Sequence, residues 1–146
     1  MKKIYVLNGP NLNLLGIREP DKYGTQSYGE LIKMIKAHAK KKGYKAVFYQ
    51  SNHEGALVDK IHEAYFKSAC GIVINPGAYT HTSIALLDAV LSTSVPTVEV
   101  HISKLEERES FRQVSYIRDG AKKTVSGKGL AGYIDAIDFL LEEYSE

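Results

Sequence analysis

Arg18 and Tyr23 stand close together in REPDKYGT, a polar segment rich in turn formers. A phenol by itself titrates at about pH 10. A fixed positive charge nearby favours the phenolate and draws that value toward neutrality, which makes Tyr23 a candidate base and Arg18 its activator. The same segment also reads as a surface connector whose tyrosine packs by its ring, and on its own it leaves both readings open.

Other polar groups cluster where apolar runs stop. NGPNLN follows Ile4 to Leu7, SNHEG lies just beyond Ala46 to Tyr49, NPGAYTHTS follows Ile72 to Ile74, HIS follows Val98 to Val100, and SGKG closes Lys123 to Ser126. Tight turns and helix caps account for Gly9, Pro10, Pro76, Gly77 and Thr82. They account less well for Asn11, Asn75, His81 and His101, since histidine is not a preferred turn former. With Arg112 and the backbone N–H groups near Ile102 and Ser103, these residues would make a pocket of amides, imidazoles and cations suited to a small, oxygen-rich anion. Acid–base work would fall to His101 and a tyrosinate, with no cofactor.

Several chemistries are disfavoured. No glycine-rich phosphate loop follows a strand, and the first loop lacks the Ser/Thr/Gly character of a flavin phosphate site. His53, His62, His81 and His101 have no recognised metal-ligand spacing, so no metal is expected. Asn75 stands where a response regulator would carry an aspartate. Cys70 precedes an apolar run and reads as core rather than nucleophile. His38, His53 and His62 read as structural or surface residues.

The apolar runs named above are short, rich in β-branched residues and bounded by turn formers, as strands are. Helical stripes alternate with them. Leu31, Ile32, Met34, Ile35, His38 and Ala39 form one, opened by a capping box at Ser27 to Glu30. Leu57, Val58, Ile61, Ala64 and Tyr65 form the next. Ile84 to Leu91 is apolar nearly all round, as for a helix buried on several sides or against another subunit. Leu130, Tyr133, Ile134, Ile137, Leu140 and Leu141 form the last, and a short helix is expected around Glu106 to Arg112. This alternation predicts an α/β fold: a flavodoxin-like, five-stranded parallel sheet with helices on both faces, its ligands at the carboxyl ends of the strands.

At 146 residues, with 44% hydrophobic and 25% charged residues, the chain has the size and composition of one globular domain able to bury its own core, so a single domain spanning 1–146 is expected. A net charge of +2 with scattered lysines gives no sign of a nucleic-acid partner. Lys2 and Lys3 precede too short an apolar run for a signal peptide or membrane helix. One cysteine forms no internal disulfide, which fits a reducing cytoplasm.

The blocks LNGPNLNLLGIREPDKYGT, QSNHEGALVDKIHEA, INPGAYTHTSIALLDA, VEVHIS and ESFRQVSYI, in this order, resemble type II 3-dehydroquinate dehydratase. The resemblance covers nearly the whole chain. It implies reversible dehydration of 3-dehydroquinate to 3-dehydroshikimate in the shikimate or quinate pathway, by anti elimination through an enolate, without metal or Schiff base. It also implies flavodoxin-like subunits forming trimers that assemble into a dodecamer. By resemblance, Tyr23 is the base, Arg18 keeps it ionised, His101 protonates the departing hydroxyl, and Asn11 positions a water at the enolate oxygen. Asn75, Ile102 and Ser103 would hold the carboxylate, His81 and Arg112 the ring hydroxyls, and Asp88 would reach a neighbouring subunit's site. A mobile lid at about 18–25 would carry the base to the substrate.

Some positions depart from the family pattern. Lys104 stands where asparagine is usual, Leu87 where arginine is frequent, and Arg118 in place of a small residue. Leu87 and Arg118 bear on subunit contacts, and Lys104 on substrate affinity. Asp88 is odd inside an apolar helix, because an unpaired buried carboxylate is costly, and an intersubunit role resolves that. Glu99, inside a central strand, reads as a buried hydrogen-bonding partner. The rival readings are a related small-acid lyase or isomerase, and a binding or assembly module that kept the fold without the chemistry.

Overall fold

The computed structural model describes residues 1–17, 21 and 25–144. Arg18 and Tyr23, and with them most of the expected lid, lie outside the described residues. The strands are β1 (Lys3–Asn8), β2 (Lys45–Gln50), β3 (Gly71–Asn75), β4 (Thr97–His101) and β5 (Lys123–Ser126). They form one parallel sheet in the order β2-β1-β3-β4-β5, the flavodoxin-like arrangement. The helices are α1 (Tyr28–Lys42), α2 (Glu54–Phe66), α3 (Ile84–Thr93) and α4 (Ala131–Glu143).

Alternate strand residues feed two cores, which is why the strands read as continuous apolar runs rather than alternating ones. Ile4, Val6, Val73, Val98 and Val100 pack with Leu31 and Ile35 of α1 and with Tyr133, Ile137 and Leu140 of α4. Tyr5, Leu7, Ile72 and Ile74 pack with Leu57 and Ile61 of α2 and with Leu86 and Val90 of α3. Ser27 caps α1 by accepting from the Glu30 N–H at 3.1 Å, and Gly43 ends it in the left-handed region at φ 78°.

Four expectations need correction. The first four strands extend beyond their apolar runs at both ends, so Asn8, Asn75 and His101 are the last residues of strands rather than loop residues. Ladder hydrogen bonds thus fix their backbones. The segment after β4 forms short 3-10 turns at Leu105–Glu107 and Ser110–Arg112 rather than one helix. Arg108 between them is extended, and only Leu105 of these turns is buried, so no apolar stripe exists to hold a longer helix. On α2, Tyr65 is exposed rather than part of the buried stripe. Helix α3 buries one side through Leu86, Ala89 and Val90, while Ile84, Asp88 and Leu91 form an exposed stripe at i, i+4, i+7 spacing. Asp88 therefore carries no burial cost within this chain.

At the mouth of the sheet the loops after β1 and β3 touch. The Gly9 N–H donates to the Asn75 carbonyl at 2.8 Å, and a Cβ on Gly9 would collide with the Pro76 carbonyl. Gly9→Ala is expected to cost about 1–3 kcal/mol as backbone is forced apart. Thermal unfolding would read this as a lowered melting temperature, and an unchanged one would mean the loops separate freely.

Candidate active site

Because β1 and β3 are neighbours whose connections leave toward opposite faces, a crevice opens at their carboxyl ends. A pocket of about 150 Å³ lies there, lined among others by Asn11, Asn75, His81, His101, Ile102, Ser103 and Arg112. Every pocket residue singled out from the sequence among those described is thus brought together, apart from Asp88, which is exposed on α3. Its size suits a small metabolite rather than a nucleotide.

Each wall has an identifiable support. Asn11 is held in the left-handed region at φ 69°, which asparagine tolerates, and its N–H donates to the Asn52 side-chain oxygen at 3.0 Å. The Gln50 amide ties the same corner by donating to the Gly9 carbonyl and to Asn52. Asn75 is braced from below: its Nδ2 donates to the Tyr133 hydroxyl at 3.1 Å, and that hydroxyl donates to Asn8 Oδ1 at 2.6 Å. Its Oδ1 accepts from the Gly77 N–H, so one amide hydrogen is left for the pocket. Tyr133 is fully buried, and burial raises its phenol far above the ordinary range, so it acts only as a neutral relay. Tyr133→Phe should remove about 1–3 kcal/mol of stability by deleting the buried hydrogen bonds of its hydroxyl to Asn8 Oδ1 and Asn75 Nδ2, measurable by urea denaturation.

The imidazoles have different environments. His81 Nδ1 lies 2.7 Å from the Val114 carbonyl, which can only accept, so Nδ1 carries the proton. Burial lowers the His81 pKa, and the charges of His101, Arg112 and Arg108 lower it further against the carbonyl's opposing effect. His81 is accordingly neutral at pH 7 and offers Nε2 as an acceptor. His101 instead faces a carboxylate: its Nε2 donates to Glu99 Oε2 at 2.5 Å, and the residues lie two apart on one face of β4. Nδ1 is the ring nitrogen this contact leaves for the pocket.

Glu99 has no solvent exposure and accepts from several donors. Ser115 Oγ reaches Oε2 at 2.5 Å, while Thr124 Oγ1 and Arg118 Nε reach Oε1 at 2.9 and 3.1 Å. Burial pushes the Glu99 carboxyl up, but the hydrogen bond and charge of His101, with Ser115 and Arg118, outweigh it and hold the group well below the usual carboxylate range. Its expected role as a buried partner is what the geometry shows.

On the outer wall, the Arg112 Nε donates to Glu109 at 2.5 Å and the guanidinium stacks over Phe111. Arg108 also lines the pocket and donates to Ser103 Oγ at 3.2 Å. Sequence reading missed it because it sits in the charge run EERES, where its spacing of four from Arg112 was the available signal. His53 and His62 are exposed, and His38 bridges Tyr44 and Asp138 away from the pocket. Among the described residues no group of three His, Cys, Asp or Glu side chains could hold a metal, and no helix is long and apolar enough to cross a membrane.

A doubly wound parallel sheet with two imidazoles, an amide and cations at its switch point defines an α/β protein built to bind and transform a small polar molecule. Residues 2–141 match the family Dehydroquinase class II. The chain is 51% identical over 142 residues to the 3-dehydroquinate dehydratase of Caldicellulosiruptor bescii, covering 97% of this chain and 98% of the relative. Its structure is similar to that of type II dehydroquinase from Butyrivibrio crossotus, with a TM-score of 0.94 and 54% identity over 95% of this chain and 97% of that one. The Propionibacterium acnes type II dehydroquinase gives a TM-score of 0.93 at 37% identity, over 98% of each chain. This chain belongs to the class II dehydroquinase family.

Proposed function

We propose that this chain is a hydro-lyase that reversibly dehydrates 3-dehydroquinate to 3-dehydroshikimate in the shikimate pathway, by anti elimination through an enolate. The observation that carries this reading is the convergence of Asn75, His81, His101, Arg112 and the Ile102–Ser103 backbone on one pocket, with His101 backed by a buried carboxylate. Asp21, close in sequence to both Arg18 and Tyr23, lines an adjoining hollow that shares Ile102, Ser103 and Arg108 with the pocket. That supports bringing the pair to the substrate on a closing lid at about 18–25.

In this mechanism the Tyr23 phenolate, kept ionised by Arg18, removes a proton next to the ketone. Asn11 holds a water that donates to the enolate oxygen, lowering the cost of the developing charge. Collapse of the enolate expels the β-hydroxyl, which takes a proton from Nδ1 of doubly protonated His101 and leaves as water. Glu99, anionic throughout, stabilises the imidazolium that supplies this proton. The substrate carboxylate meets the remaining Asn75 amide hydrogen and the N–H groups of Ile102 and Ser103. Neutral His81 accepts from a ring hydroxyl through Nε2, and Arg112 donates to another. Asp88, on the exposed stripe of α3, would serve the site of a neighbouring subunit in a trimer-based dodecamer, in the cytoplasm.

The test is the ultraviolet absorbance of the conjugated enone formed from 3-dehydroquinate, with other hydroxy acids assayed alongside. Wild-type turnover that collapses in His101→Ala is the expected result. Faster turnover of another hydroxy acid would move the chain to a related lyase, and no turnover at all would favour a binding module.

A further inference from the structure

The carboxylate behind His101 is divided between two cations. Glu99 Oε2 takes His101 and Ser115, and Oε1 takes Arg118 and Thr124. Arg118 comes from the 3-10 turn Ile117–Gly120, and its side chain is 44% exposed while Glu99 is fully buried. The sequence pattern pointed Arg118 toward subunit contacts, whereas the geometry turns it inward onto this carboxylate.

We propose that Arg118 tunes the protonation range of His101 by competing with it for the charge of Glu99. The inference rests on the acid role given to His101 above. A carboxylate stabilises an imidazolium in proportion to the charge not already countered, and a guanidinium on its other oxygen both counters that charge and repels a second cation. Arg118 therefore makes His101 a stronger acid than Glu99 alone would. Among the described residues, the charged and titratable groups around the pair include Glu99 on β4, Arg118 on its turn, His81 after β3, and Arg108 and Arg112 after β4. Of the arginines, Arg118 has its bond to Glu99 itself and is absent from the pocket lining, so it acts as a positioning and tuning residue without touching substrate. Its partial exposure means that water can take its place on Oε1 when it is removed.

The experiment is an NMR titration of the His101 ring, assigned through His101→Asn, in wild type, Arg118→Gln, Arg118→Met and Arg118→Lys. Kinetic pH profiles are recorded on the same proteins. Removing the positive charge should raise the His101 midpoint by about half to one pH unit, after allowance for the exposure of Arg118. Arg118→Lys should stay near wild type, and the alkaline limb of kcat should move with the midpoint. Arg118→Met keeps the aliphatic stem and serves if Arg118→Gln fails to fold. An unmoved midpoint in the neutral variants, or one that moves equally in Arg118→Lys, overturns the proposal. A midpoint that moves while the kinetic limb stays fixed upholds the tuning and refutes the acid role of His101.

Discussion

Replacing Tyr23 by phenylalanine is expected to lower kcat for 3-dehydroquinate by about 100- to 10,000-fold, the range a positioned general base contributes. Phenylalanine keeps the ring and loses only the oxygen, so binding of the substrate carboxylate and hydroxyls should persist and KM should change far less than kcat. Arg18→Ala should act through the same oxygen. Without the guanidinium the phenol ionises at higher pH, so the acidic limb of the rate profile moves upward and activity partly returns in alkaline buffer. Enone absorbance on folded, equally assembled proteins measures both effects. Undiminished turnover in Tyr23→Phe would leave the family assignment standing and remove the tyrosinate from the mechanism.

Glu99→Gln should damage stability and catalysis together. The carboxylate accepts from His101, Ser115, Arg118 and Thr124, and an amide presents one oxygen and an N–H₂ group that faces donors with another donor. Losing one partner of a buried charged pair costs about 3–5 kcal/mol. In the proposed mechanism the His101 acid also loses its counter-charge, so kcat should fall by about 100-fold. The dependence on pH has a definite sign. The folded-state pKa is depressed from 4.5 to about 2, so this contribution is present above 4.5 and is lost as pH falls toward 2. Urea denaturation across that window should show stability falling with acidification in wild type and a flatter profile in Glu99→Gln. Equal slopes would mean that Glu99 is not the group protonated there.

Sheet and helices were legible because both faces of the sheet are covered, which leaves the central strands as apolar runs between turn formers, apart from Glu99 in β4. The pocket was legible for a related reason: Asn75 and His101 interrupt such runs where a doubly wound sheet places its ligands. The supports behind them were not. Tyr133 reads as one more apolar stripe residue, and nothing in its local spacing marks a hydroxyl that reaches Asn8 across 125 positions of sequence. Arg118 and Thr124 are likewise ordinary until β5 and the preceding turn close over Glu99. The polar segment after β4 misled because charge at helical spacing persists even where no buried face follows it. For α3 the composition revealed apolarity on every side, and only the sheet decides which stripe stays uncovered.

The contact between Gly9 and the Pro76 carbonyl has a bearing on how this scaffold can diversify. Here main chain meets main chain, with no side chain between them to trim or exchange. Changes of substrate preference are therefore expected elsewhere, chiefly in the segment 102–112, which lines the pocket and belongs to no strand ladder. Libraries aimed at altered selectivity would do best to randomise that segment and leave the Gly9 corner invariant.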